Sequence, residues 1–487
     1  MDLVQALDGL DERPWAELTH AYGAADDVPD QLRALAGDDE EEQEEALEEL
    51  WSSILHQGSV YPATAEAVPF LTRLAVAGCR PTELLAMLGY AMRSGEDDGA
   101  CQEAVAGQLT LLLPLLGSAD RAIRQAAAWA VGHTDTRAAL EAVERRYAVE
   151  PDALVRAELL TALIRLDPLR RAELIAAALA DGPPELRLAA VFAGLDAGLP
   201  WGREQEDAVL AALPADGLMA ERFEDGQHQP LAGICEALLE RGAREDALRL
   251  VAVALRDGRA EVRDEALLAA DRVCMASRGA PAVLLPLLAP LLDAPRPPEG
   301  ALRLLRKLAG QLDGSFAEPL ARLASGAPAE GDEDLADRAL VLLLAVAPER
   351  AVPLLAADLG SRPGALRAAA ELSESADSPA LPFAPELLAA VRARLAADAV
   401  PAAGAPLHVR NQLHNEPIHL AELLQQWGGR AAAAVPELLA ALDRASLVVP
   451  RAVAALRKPN ENSPGGRSPS VWRHSTRTTP SSCTAGA

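Results

Sequence analysis

The densest group of potential ligands in this chain is His408-Val409-Arg410-Asn411-Gln412-Leu413-His414-Asn415-Glu416-Pro417-Ile418-His419, three imidazoles and a carboxylate in one short stretch. Imidazole nitrogens with a carboxylate are the donor set of many zinc and iron sites. Such sites depend on spacing, and the separation of His414 from His419 does not put both on one helix face. Pro417 also breaks the segment. It therefore reads as a solvated polar loop, and no metal is predicted there. The other histidines (His20, His56, His133, His228, His474) are isolated. The acidic run Asp38-Asp39-Glu40-Glu41-Glu42, continuing to Glu49, lacks the glycine turn of a calcium loop. It reads as a helix N-terminus, where carboxylates face the positive end of the macrodipole, with Ala46, Leu47, Leu50, Ile54 and Leu55 as the buried stripe. No Gly-rich phosphate loop, nucleophile elbow or zincin helix is present. No catalytic residue and no cofactor is predicted.

The elements that carry these residues are helices. Half of the 487 residues are hydrophobic, yet only 3% are aromatic, so the core must be built from Leu, Ala and Val. Ala and Leu favour helices and let helix axes approach closely. The β-branched and aromatic alternation of strands is nearly absent. The expectation is an all-α chain.

The net charge of −27 opposes nucleic acid and anionic membranes, and it favours a basic partner. Arginine carries almost all the positive charge, with Lys307 and Lys458 the only lysines. The cysteines (Cys79, Cys101, Cys235, Cys274, Cys483) are odd in number and show no C-x-x-C spacing, which predicts reduced thiols and a cytoplasmic protein. Neither a signal peptide nor an apolar run of transmembrane length is read.

One turn pattern recurs along the chain. A Leu-Pro-Leu-Leu type of segment, as in Leu113-Pro114-Leu115-Leu116, precedes a polar turn with Asp120, and Ile123-Arg124 then opens an Ala-rich segment. The hydrophobic–Arg pair returns at Val155-Arg156, Leu186-Arg187 and Val262-Arg263, in steps of 32, 31 and 76 residues, the last spanning a degenerate unit around Leu231 to Leu239. The proline-bearing segment returns at Val68-Pro69, Leu285-Pro286, Val352-Pro353 and Val435-Pro436, where each proline should start or bend its helix. A period of this size built from two helices signals an α-solenoid. Residues 1–37 read as a helical lead-in with turns near Gly23 and Pro29, residues 38–458 as the repeat array, and residues 459–487, rich in Ser, Thr, Pro and Gly, as a disordered tail. The stretches 293–300 and 324–332 read as non-helical connections, and 401–406 sets off a last unit.

With its proline-bearing first helix, Asp-containing turn and second helix opening on Val-Arg, the chain resembles the bacterial HEAT-repeat family, including the variant named after phycobilin lyases. The resemblance implies a HEAT-like, armadillo-like superhelix of helix pairs with the second helices on the concave side. It also implies a ladder in which Asp and Arg of neighbouring units pair. Asp181 with Arg187 and Asp257 with Arg263 have the family spacing, while Asp120/Arg124 and Asp152/Arg156 are closer together.

Turning about 100° per residue from Ile123, Val155, Leu186 and Val262, the fourth, seventh and eighth positions beyond each start are core-facing. They hold Ala127, Ala130 and Val131; Leu159, Ala162 and Leu163; Ala190, Ala193 and Gly194; and Ala266, Ala269 and Ala270. The sixth positions, Trp129, Thr161, Phe192 and Leu268, and the tenth, His133, Arg165, Asp196 and Arg272, should face outward. Aromatic and arginine side chains dominate interface hot spots. The candidate partner-binding residues are therefore Trp129, His133, Arg165, Phe192, Asp196 and Arg272. Trp51 and Tyr61 join them, from a ring-rich segment that reads as either a capping unit or a binding loop, with Thr64 capping the next helix. The expected function is a non-catalytic scaffold or adaptor, monomeric, that binds a protein. The alternatives are an immunity-type inhibitor of a basic toxin or nuclease, and a lyase or chaperone acting on a cofactor-bearing protein.

Overall fold

The computed structural model describes residues 2–93, 99–223, 229–294, 296–326, 333–372, 381–397 and 407–445. The expected tail at 459–487, the divider at 401–406 and most of the connection at 324–332 lie outside them. The protein is an all-α solenoid of helix pairs. It divides into two compact units, Met1–Pro290 with Pro298–Leu304, and Leu291–Pro297 with Leu305–Ala487.

The first unit opens with α1 (Leu3–Ala6), a two-residue antiparallel hairpin of β1 (Thr19–His20) and β2 (Gly23–Ala24), and α2 (Val28–Leu35). The hairpin was not expected from the sequence. Gly23 takes φ 135° where the hairpin turn enters β2, while Pro29 lies in the first turn of α2 and not between elements. The acidic run is the start of α3 (Glu40–Ser53), where the Asp39 carboxylate accepts from the Glu41 and Glu42 amides. The lead-in packs on the first repeat helix. Trp15 packs against Phe70 at 6.1 Å between ring centroids, and Arg13 pairs with Glu66 at 3.1 Å.

The repeat then runs in two rows. First helices are α4 (Pro62–Val76), the broken pair α6 (Ala100–Ala106) and α7 (Leu109–Leu112), α9 (Arg137–Tyr147), α11 (Arg171–Asp181) and α13 (Arg203–Ala212), then α16 (Arg244–Ala254) and α18 (Ala280–Leu288). Second helices are α5 (Pro81–Ala91), α8 (Arg121–Val131), α10 (Ala153–Leu166), α12 (Pro184–Asp196), α15 (Pro230–Glu240) and α17 (Ala260–Ala276), each packed against the next. A short helix, α14 (Asp216–Met219), lies in the connection from α13 to α15. The unit boundary falls within α19 (Glu299–Lys307), so the stretch at 293–300 turns helical at Glu299. In the second unit the first row is α20 (Ala317–Ser325), α22 (Pro348–Ala357), α24 (Pro385–Ala396) and α26 (Val435–Ala445). Its second row is α21 (Glu333–Val346), α23 (Pro363–Glu371) and α25 (Leu407–Trp427).

The core-facing positions assigned from the repeat register are all buried, as expected. The structure adds that Asp120 and Asp152 cap α8 and α10, accepting from the amides of Ala122 and of Leu154 and Val155. The Arg of the hydrophobic–Arg pair staples its own turn. Arg124 Nη1 donates to the Ser118 and Ala119 carbonyls, both at 3.1 Å, and Arg263 Nη1 does the same to Asp257 and Gly258, both at 2.9 Å.

Other expectations are corrected. The pairing between units runs through the closely spaced turns, with Arg121 on Asp152 (3.4 Å) and Arg124 on Glu150 (3.0 Å), whereas Asp257 is taken by Arg259 at 2.8 Å. The nearer arginine wins because Asp257 and Arg259 lie in one turn. Thr64 is not an N-cap. It is the third residue of α4, buried, and accepts from the amide of Tyr61, which occupies the cap position. Pro417 does not open a loop but lies inside α25, and Glu416 is bound by Arg394 through two 2.7 Å contacts. Pro69, Pro286 and Pro353 lie inside their first helices, as the proline-bearing repeat pattern expects.

Candidate functional site

Four of the residues singled out in the sequence meet on the second-helix row of the first unit. Trp129 of α8 is the hub. Its ring lies 5.2 Å from Tyr90 of α5, 4.5 Å from His133 and 5.9 Å from Phe223, centroid to centroid. Trp51 of α3 extends the cluster through Tyr90 at 5.7 Å. The Arg93 and Arg165 guanidinium carbons each stand 5.5 Å from the Trp129 ring centre, within cation–π range. The Trp129 indole donates to the Ala86 carbonyl at 3.3 Å. Gly89 makes room for it, since a Cβ there would stand 2.0 Å from Nε1.

This arrangement corrects the expected exposure. Trp129 is 1% exposed and does not face solvent. Trp51, His133 and Arg165 are half-buried around it. Of the other sixth-position residues, Thr161, Phe192 and Leu268 are half-buried as well. Asp196 and Arg272 are exposed, on α12 and α17. Tyr61 is half-buried at the start of α4, and the ring contacts extend neither to it nor to Phe192 or Arg272.

The reason is a strap. Residues 213–223 leave α13, form α14 and then run as non-helical chain over α10, α8 and α5. The Glu221 carbonyl accepts from Gln125 Nε2 at 2.7 Å, and the Phe223 carbonyl accepts from the Tyr90 hydroxyl at 2.8 Å. Arg222 reaches down to α10, where Nε lies 3.3 Å from a Glu158 carboxylate oxygen and Nη2 donates to the Thr161 hydroxyl at 2.8 Å. The Glu158 and Arg222 side chains are 1% and 2% exposed. A carboxylate buried this deeply requires a cation beside it. At the other end, Arg259 Nη1 donates to the Leu213 carbonyl at 2.7 Å, and Glu265 accepts from the Asp216 amide at 2.8 Å. Burial and the neighbouring Glu265 carboxylate push the Asp216 carboxyl up to about 6.

Glu158 and Glu265 escaped the sequence reading. Each stands three residues after its hydrophobic–Arg opening, where Ile123 and Leu186 lead to Ala126 and Ala189. An acid at a core register of an Ala-rich helix was the available signal.

Sequence comparison adds no assignment: no family model matches the chain, and no curated protein matches it. Among solved structures the chain is similar to Kap121p bound to Pho4p, at 13% identity and a TM-score of 0.46, over 85% of this chain and 46% of that one. The karyopherin Kap121p bound to the SUMO protease Ulp1p gives 13% identity and a TM-score of 0.44, over 86% and 46%. The chain thus spans about half the length of the solved protein it resembles.

Proposed function

We propose that the protein is a non-catalytic scaffold that binds a protein partner on the second-helix row of its first unit. The observation that carries this reading is the strap. That row already holds a non-helical stretch of chain, through side-chain donors to its backbone carbonyls, a buried ion pair and a stacked ring. These are the means by which a protein recognises an extended peptide. The net charge of −27 supports a basic partner, since opposite charge steers encounter. Reduced, buried Cys79, Cys101, Cys235 and Cys274 support a cytoplasmic setting. No helix among the described residues is long and apolar enough to cross a membrane.

The test is affinity capture with the tagged full chain and with an Asp196→Arg/Glu221→Arg variant, which reverses two exposed acids and should repel a basic partner, read by mass spectrometry and cross-linking. Capture of a basic protein that falls at least tenfold with the variant, and whose cross-links fall on α5, α8 and α10, is expected. Capture unchanged by the variant, with cross-links elsewhere, would remove this face as the binding site.

A further inference from the structure

We propose that residues 221–223 occupy a docking groove for an extended partner segment carrying an arginine followed by an aromatic residue. In this view the strap is an internal stand-in that such a segment displaces. The inference rests on the scaffold reading and names the chemistry the scaffold selects.

Three observations define the occupant. First, Gln125 and Tyr90 donate to main-chain carbonyls of Glu221 and Phe223, so this part of the recognition is open to any extended chain in that register. Second, the Glu158 carboxylate is almost wholly buried on α10 and demands a cation. The Thr161 hydroxyl accepts from a second nitrogen of the same side chain, a forked contact that a guanidinium makes and an ammonium does not. Third, the Phe223 ring lies 30° from the plane of the Trp129 ring, so the next residue of the occupant must carry a flat apolar face.

A buried ion pair is a weak device for fastening a permanent strap, because apolar side chains of similar volume hold as well or better. It is a strong device for selecting which segment docks. Ala220 and Glu221 are exposed at the start of the docked stretch, so a competing chain has access to its edge.

The probe is a fluorescein-labelled peptide with the sequence of residues 216–223, titrated by anisotropy into the full chain and into an Arg222→Ala/Phe223→Ala variant of it. Binding at least tenfold tighter to the variant is expected. Replacing the peptide's own arginine or phenylalanine with alanine should each weaken binding at least tenfold. Two outcomes overturn the proposal: a variant that melts like the parent yet binds no tighter, and binding indifferent to the peptide's arginine and phenylalanine. If the variant does not fold, hydrogen exchange on the unmodified chain decides. Amides of residues 220–223 are expected to exchange through a local opening that mild urea does not accelerate. Exchange only through global unfolding means a fixed strap and overturns the proposal. Capture of a partner through another surface, with no peptide binding here, removes this inference and leaves the scaffold reading standing.

Discussion

The fit of Trp129 into the notch left by Gly89 makes a double-mutant cycle with opposite signs in its two backgrounds. Gly89 is helical, so its backbone does not require glycine. What excludes a side chain is the indole, whose Nε1 and Cδ1 would stand 2.0 and 2.1 Å from an added Cβ. Gly89→Ala should therefore overpack the site, at about 1–3 kcal/mol. The better helix propensity of alanine, about 1 kcal/mol, offsets only part of that. Trp129→Ala removes a large side chain that is 1% exposed, and should cost about 3–5 kcal/mol. In that background the new methyl at position 89 enters vacated space, and both burial and propensity favour it. Gly89→Ala should then stabilise by about 1 kcal/mol. The coupling should reach about 1–3 kcal/mol, in the upper part of the range for residues in contact. Urea melts of the full chain, followed by far-ultraviolet dichroism, measure all four corners. The reasoning is refuted if Gly89→Ala has the same sign in both backgrounds. It is also refuted if Trp129→Ala costs less than about 0.5 kcal/mol, as a surface residue would.

Other perturbations probe separate parts of the first unit. Phe192→Ala, at a half-buried site, should cost about 1–2 kcal/mol by the same melts, roughly half the value for a fully buried ring. Glu150 accepts from Arg124, Arg146 and the Asp152 amide, with its side chain 0% exposed. Glu150→Gln should thus cost about 3–5 kcal/mol by leaving Arg124 buried without its counterion. Burial works against ionisation of Glu150, but the hydrogen bonds from Arg124, the Asp152 amide and Arg146 outweigh it and hold the carboxyl below its ordinary value. Its stabilisation is present above the unfolded-state value and should fade as pH drops below about 4, a loss that Glu150→Gln abolishes in acid titrations of stability. Asp216 behaves oppositely. Its carboxyl is raised to about 6, so the folded chain binds a proton more readily than the unfolded one. Stability should fall as pH rises from about 4 through 6, by on the order of 1 kcal/mol once solvent screening at this half-exposed group is allowed for. The strap amides should exchange faster at pH 7.5 than at pH 5 after correction for intrinsic rates, and Asp216→Asn should flatten that dependence.

The repeat was legible because its causes are local. Asp120 and Asp152 cap helices through amides two and three residues away, and the Ala and Leu spacing that follows fixes which face meets the first-helix row. Burial at Ala127, Leu159, Ala190 and Ala266 follows from that arithmetic alone. The lead-in hairpin was not legible, because two-residue strands leave no alternation to read. The course of the chain through Pro417 also escaped, since α25 continues past it on packing that no local rule encodes.

The amino-acid sequence by itself determined the class of fold and the register of the helix pairs, and it put Trp129, His133, Arg165 and Trp51 among eight candidates without saying which of them meet. Only the tertiary structure decided what lies over them. Periodicity says which side of a helix turns away from its partner row, but not whether water or protein covers that side. Here the cover is supplied by Arg222 on Thr161, Glu221 on Gln125 and Phe223 on Tyr90, contacts that join residues 61, 96 and 133 apart in the chain. No local propensity carries information over such separations, because they close only when successive helix pairs have stacked and brought α5, α8 and α10 within reach of the connection after α13.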